Sequence, residues 1–189
     1  MSSRQIGIVG WGTAVMLAAS WGALWVWGMR LNTSASIPTG LWREQAINRP
    51  IQRGDVVAIC PEASAIFRLA KSRGYLENGW CAGRLEVMFK PVAAIAGDVV
   101  VVNPMGITVN GLPIAHSAAL PADSELRPLP AQLHGVYVVG PAEVWLISDW
   151  NEHSFDSRYF GAIATRNIRG LLKSWALDRP RGSRVDGES

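Results

Sequence analysis

The chain has 189 residues, 49% of them hydrophobic and only 17% charged, with a formal net charge of +3. That length suits one compact domain with an appendage and excludes a large multidomain assembly, while the shortage of charge points to membrane contact. Three surplus positive charges without a dense basic run give little support to nucleic-acid binding, and the hydrophobic content excludes a disordered chain.

The charge deficit is local. Residues 6–29 form a 24-residue run without a charged side chain. As a helix this run spans about 36 Å, against a hydrocarbon core of about 30 Å. A cleaved secretory signal has an apolar region of only about 7–15 residues, so the small residues of Thr33-Ser34-Ala35-Ser36 do not make this a signal peptide. The run reads as a retained single-pass transmembrane anchor behind a short cytoplasmic N-terminus at 1–5, with Trp21, Trp25 and Trp27 at the headgroup level. Arg4 and the terminal amine precede it, and Arg30, Arg43 and Arg49 lie beyond it. A naive count favours a cytoplasmic location for the C-terminal domain, but long domains translocate largely regardless of charge.

Cys60 and Cys81 are the only cysteines. An even count outside the cytoplasm invites a disulfide, worth roughly 3 kcal/mol for a loop of this length. Two unpaired buried thiols are the alternative. Two cysteines make no zinc site, no histidine stands at ligand spacing from either, and no metal or cofactor is expected.

Past the anchor, residues 32–50 read as turn-rich. Gly54-Asp55 leads into a strand at 56–59, stopped by Pro61. Residues 62–73 have helical composition, closed by Gly74. Strands at 87–95 and 99–103 flank a Gly97-Asp98 turn. Those at 107–109 and 112–115 flank Asn110-Gly111, the strongest short hairpin signal. Residues 116–132 look irregular, two more strands are expected at 136–139 and 144–147, and a polar tail at 179–189 is expected to be mobile. No internal repeat is visible. The fold class expected is mainly β with a small helical insert, preceded by one N-terminal transmembrane helix.

A serine becomes nucleophilic only where a neighbouring base takes its proton. His116, His134 and His153 are the whole histidine supply, and none lies in a nucleophile-elbow context. A lysine base must be neutral, so its pKa of about 10.4 has to fall by two or more units through desolvation. Of Lys71, Lys90 and Lys173, only Lys90 lies in an apolar stretch, Met88-Phe89-Lys90-Pro91-Val92. Taken alone it fits equally an edge-strand lysine that snorkels to water.

Three ordered blocks carry a resemblance: Ser36-Ile37-Pro38-x-Gly40, Lys90 with Gly97-Asp98 behind it, and Ser148-Asp149-Trp150-Asn151-Glu152-His153-Ser154-Phe155-Asp156-Ser157-Arg158. Together they resemble the signal peptidase I superfamily, the last block being similar to its Gly-Asp-Asn-x-Asp-Asn-Ser-x-Asp-Ser-Arg signature. Ser-Ile-Pro-x-Gly, Gly54-Asp55-x-Val57 running into Cys60-Pro61, Arg73-Gly74-Tyr75-Leu76 and the later Cys81 resemble the TraF branch, conjugative-transfer peptidases that process pilin precursors. The resemblance covers roughly residues 32–180. It implies a signal-peptidase-like catalytic β domain at 32–178, with Ser36 as nucleophile and Lys90 as general base. It further implies that Ser34 joins the Ser36 N–H in an oxyanion hole and that Ser154 orients the lysine. Asp156 and Arg158 would support the site from behind. Three departures stand out. Bulk signal peptidases have one more residue between serine and proline, and usually an arginine where this chain has Pro91. The start of the last block is blurred, which leaves His153 without a role beyond a structural one.

The function so implied is a Ser-Lys serine endopeptidase of the bacterial inner membrane, its catalytic domain in the periplasm. Its partners would be a membrane-inserted, pilin-like precursor, the lipid bilayer and other transfer-system proteins, with no nucleic acid. Deacylation by water or by a substrate amine would give a linear or a cyclic product. A general type I signal peptidase is the nearest alternative. A self-cleaving regulator of the LexA type is disfavoured by the anchor and by the lack of a DNA-binding module. A non-catalytic, membrane-tethered assembly factor of a type IV secretion or conjugation system is disfavoured by the joint presence of Ser36, Lys90 and Ser154.

Overall fold

The computed structural model describes residues 25–130 and 133–177, together with positions 11, 16, 19, 20, 22 and 23. Most of the anchor expected at 6–29, and the tail at 179–189, lie outside the described residues. Among those described, no helix is long and apolar enough to cross a membrane. Helix ends at Val26, residues 27–28 turn, and Met29 already opens a strand. Gly28 permits this turn: its φ is +80°, and a Cβ there would sit 2.4 Å from the Glu44 carbonyl oxygen.

Strand β1 (Met29–Asn32) pairs antiparallel with β2 (Gly40–Gln45), in a register that sets Asn32 opposite Gly40 and closes residues 33–39 into a loop. A strand here corrects the reading of 32–50 as turn-rich. Gly-Leu-Trp-Arg-Glu-Gln has no β-branched residue, so local propensity is weak. β2 forms because it is paired on both sides, by β1 and by β12 (Ile168–Leu177). The strand at β12 was likewise not expected from the sequence.

Strand β3 (Val56–Ile59) leads through Pro61 to helix α1 (Ala65–Ser72). The helix starts later than expected because Ser64 is extended, with ψ 170°. After the short β4 (Asn78–Cys81) comes β5 (Met88–Ile95), whose alternate residues are buried. Strands β6 (Val99–Asn103), β7 (Gly106–Val109), β8 (Leu112–Pro113) and β9 (Gly135–Val138) then build a separate sheet in the order β8-β7-β6-β9. Asn110 and Gly111 have φ +51° and +80°, as a tight β7–β8 hairpin requires. The chain returns through β10 (Glu143–Leu146), α2 (Ser157–Phe160) and β11 (Ile163–Ala164) to finish the first sheet, ordered β1-β2-β12-β3-β5-β10-β11.

One core packs Phe67 and Ala70 of α1 against Val57, Ile59, Met88, Val92 and Leu146. A second joins the two sheets through Val100, Ile107, Trp145 and Ile147. The crossing between sheets is secured by Asp98. Its carboxylate accepts from the Arg53 Nε and Nη2 at 2.8 Å each, from Asn110 at 2.9 Å and from the Ile95 N–H at 2.9 Å. Burial works against this charge, but the four donors outweigh it and lower the Asp98 pKa. Cys60 and Cys81 are joined as a disulfide, with Cα atoms 5.3 Å apart.

The segment 148–158 is organised around one buried guanidinium. Arg158 is 0% exposed and spends its donors on six acceptors. Two are the Asp156 carboxylate oxygens, at 2.8 and 2.6 Å; the others are the carbonyls of His116, Ser148, Asn151 and Glu152, at 2.6 to 3.3 Å. Asp156 in turn caps α2 by accepting from the Arg158 N–H and also takes the Ser148 N–H at 3.0 Å.

Two outcomes are expected in urea denaturation of the full chain in detergent. Replacing both cysteines by serine lowers the unfolding free energy by about 3 kcal/mol, through the wider unfolded ensemble. Arg158→Met leaves the Asp156 carboxylate buried and unpaired and lowers it by roughly 3–5 kcal/mol.

Candidate active site

The 33–39 loop carries Ser34 and Ser36. It is pinned by Ile37 and Trp42, which pack with Ala58 and Leu172 in a small core of their own, and the Trp42 indole donates to the Pro38 carbonyl at 3.0 Å. From inside the loop, the Asn32 amide nitrogen donates to the carbonyls of Ser34, Ile37 and Pro38 at 2.8, 3.2 and 3.2 Å. Its carbonyl oxygen accepts from the Ser34 N–H at 3.2 Å and from the Ser34 hydroxyl at 2.9 Å. From the other side, the Ser148 hydroxyl donates to the Ser36 carbonyl at 2.8 Å.

Lys90 faces this loop from the middle of β5. β3 pairs with β5 at this point, Val57 opposite Lys90, and the side chain falls on the buried pleat of the strand, so the residue is 3% exposed. Its amine lies 2.6 Å from the Ser36 hydroxyl and 2.8 Å from that of Ser154, and the two hydroxyls are 3.2 Å apart. Burial disfavours the ammonium form and lowers the Lys90 pKa from 10.5 to about 8, against the opposing pull of Asp156. A neutral amine has one lone pair and two protons. In this setting it can take the proton of Ser36 while donating to Ser154.

Ser36, Lys90 and Ser154 are thus brought into one hydrogen-bonded triangle, and Asp156 and Arg158 stand behind it. Ser34 is exposed, two residues before Ser36, with its hydroxyl turned to Asn32. The Cys60–Cys81 bridge ties the end of β3 to the end of β4. His153 is exposed, its N–H held by the Asn151 side chain at 3.0 Å and its ring 3.7 Å from the Glu152 carboxylate. No group of histidine, cysteine and acidic residues that could hold a metal ion occurs among the described residues.

The triangle opens into a cleft of about 1090 Å³. Glu86, on the β5 wall, has its pKa raised by burial, with a Glu77 N–H working the other way. The irregular segment before β9 forms the opposite wall. It is strapped down where the Leu120 N–H meets the Tyr159 hydroxyl at 3.0 Å, where Asp123 accepts from the Tyr75 hydroxyl and where Arg73 donates to the Pro128 carbonyl at 2.7 Å. Sequence reasoning assigned no part to Asn32, Ser148 or Glu86. Only Asn32 has a local signal, an Asn two residues before a serine, the spacing of an Asx turn.

Among solved structures, a signal peptidase I from Enterococcus faecalis aligns with a TM-score of 0.38 and 16% identity, over 66% of this chain and 98% of that one. A plasmid transfer protein TraF of Escherichia coli is 42% identical over 165 residues, 87% of this chain and 90% of that protein. A probable conjugal transfer protein TraF of Sinorhizobium fredii is 38% identical over 165 residues, 86% of each chain. The conjugal transfer protein TraF of Agrobacterium fabrum is 38% identical over 146 residues, 77% of this chain and 81% of that protein. Residues 8–176 match the family described as signal peptidase, peptidase S26. A match over that length, with relatives so similar along most of their own length, means that the chain belongs to the peptidase S26 family.

Proposed function

We propose that the protein is a membrane-anchored serine endopeptidase that processes an exported precursor, a conjugative pilin, with Ser36 as nucleophile and Lys90 as general base. One observation carries this reading: a lysine amine whose pKa burial lowers to about 8 lies 2.6 Å from a serine hydroxyl in an open cleft. The relatives named as plasmid and conjugal transfer proteins support the choice of substrate. Residues 6–29 would hold the enzyme in the inner membrane, with the catalytic domain in the periplasm beside a substrate that is itself inserted.

The reaction is acyl transfer. As Ser36 Oγ bonds to the scissile carbonyl carbon, its proton passes to Lys90 Nζ, and the carbonyl oxygen takes up the negative charge. The Ser36 N–H and the Ser34 hydroxyl stabilise that oxyanion; one such donor is typically worth a factor of about 100 to 1000 in rate. When the C–N bond breaks, Lys90 returns the proton to the leaving amine and an ester remains on Ser36. Water, deprotonated by neutral Lys90, hydrolyses the ester and releases a linear product. A substrate amine attacking instead closes a ring, and the released mass is then smaller by one water. Ser154 keeps the amine aimed at Ser36, while Asp156 and Arg158 hold Ser148 and the segment around it.

Co-expression with a pilin precursor tests the reading by intact mass. A trimmed precursor is expected with the wild-type chain, and Ser36→Ala is expected to slow trimming by at least about a thousandfold. An untouched precursor with the wild type, or equal trimming by both, overturns it. The pH profile is a separate test. The base is the neutral amine and the Lys90 pKa is lowered to about 8. Accordingly kcat/KM rises about tenfold per pH unit below that value and levels off above it.

A further inference from the structure

Asn32 takes no chemical part in this reaction, yet its carboxamide is the most heavily engaged side chain of the nucleophile loop. It is 4% exposed and closes the loop at the end of β1, opposite Gly40 at the start of β2. The amide nitrogen shares its two protons among the carbonyls of Ser34, Ile37 and Pro38, so three peptide planes of one seven-residue loop converge on a single group. The amide oxygen takes both donors of Ser34, its N–H and its hydroxyl. With the Ser36 carbonyl held by Ser148 on the far side, the Ser34–Ala35 and Ser36–Ile37 peptide planes are both tied down.

We propose that Asn32 is the positioning residue of the site, whose carboxamide sets the loop that presents Ser36 and holds the Ser34 hydroxyl at the reacting carbonyl. The inference rests on the acyl-transfer reading above. A serine hydroxyl has one proton, and in the free enzyme that of Ser34 is turned to a neutral amide oxygen. An oxyanion is a stronger acceptor, because hydrogen bonds to charged oxygen are roughly twice as strong as neutral ones. The hydroxyl therefore swings from Asn32 to the oxyanion as charge develops, while the Ser34 N–H stays on Asn32 and keeps its backbone in place. Asparagine suits this post because it combines an acceptor for Ser34 with a donor for three carbonyls. Aspartate keeps the first and turns a repelling oxygen on the second. Alanine supplies neither.

The test uses the full chain in detergent micelles with p-nitrophenyl acetate as acyl donor, monitoring p-nitrophenolate release across pH. The wild type is compared with Ser36→Ala, Ser34→Ala, Asn32→Ala and Asn32→Asp. Asn32→Ala and Asn32→Asp are expected to lower kcat/KM about 10- to 100-fold while the midpoint of the pH profile stays with that of the wild type, because the surroundings of Lys90 are intact. On the Ser34→Ala background, Asn32→Ala is expected to cost clearly less than on the wild type, since part of its effect runs through that hydroxyl. Asn32→Asp is nearly equal in size and carries the comparison if Asn32→Ala loses its thermal transition. Wild-type rates in both Asn32 variants overturn the proposal, as does full additivity with Ser34→Ala. A shifted pH midpoint also overturns it, since Asn32 would then act on the Lys90 amine and not on the loop. If Ser36→Ala releases p-nitrophenolate as fast as the wild type, the acyl-transfer reading itself fails and this inference falls with it.

Discussion

An amine held out of water, 2.6 Å from a hydroxyl, is the constraint around which this domain is arranged. Lowering a lysine pKa from 10.5 to about 8 costs about 3 kcal/mol of disfavoured charge, which only thorough desolvation supplies. A strand at a sheet edge would let the long side chain escape to solvent. β5 is flanked by β3 and β10, and Lys90 falls on its inward pleat with Met88 and Val92. The apolar row that forms the core thus also sets the protonation state of the amine.

The same burial makes the neighbouring charges consequential. Asp156 pulls the Lys90 pKa upward and would favour the ammonium form if left unopposed. Arg158 engages both Asp156 oxygens and pulls the other way. This ion pair, fully enclosed, also gathers four backbone carbonyls from two segments. Its role is therefore joint: it moderates the field at Lys90 and gives the 148–158 segment one shape. Through the Ser148 N–H on Asp156 and the Ser148 hydroxyl on the Ser36 carbonyl, that shape is passed to the nucleophile loop.

The three corners of the site are far apart along the chain. Lys90 stands 54 residues from Ser36 and 64 from Ser154. Each arrives on a different kind of support: a hairpin loop closed by Asn32, a central strand, and a turn wound around Arg158. Contacts of such separation carry the loop-closure entropy of the intervening chain, and the two cores, the Asp98 cluster and the Cys60–Cys81 bridge offset it. The described part of the cleft wall before β9 is held by side-chain bonds to Tyr75, Tyr159 and Arg73.

Much of this was legible in the chain itself. The strands at 56–59 and 99–103, the Asn110-Gly111 hairpin, and Lys90 as the lysine in an apolar run all derive from local composition, because alternation and turn chemistry act over a few residues. The serine and the Asp156-x-Arg158 motif were legible by resemblance. Strands β1, β2 and β12 were not, since Met-Arg-Leu-Asn and Gly-Leu-Trp-Arg-Glu-Gln carry little strand propensity and form only because each finds partners. Asn32 and Ser148 were invisible as site residues for a similar reason: what an amide or hydroxyl does depends on which carbonyls the fold brings to it. The sequence by itself determined a mainly β domain with one lysine in an apolar run. Only the tertiary structure decided that this lysine meets Ser36 and Ser154, because desolvation and a 2.6 Å contact belong to packed neighbours and not to any single stretch of chain.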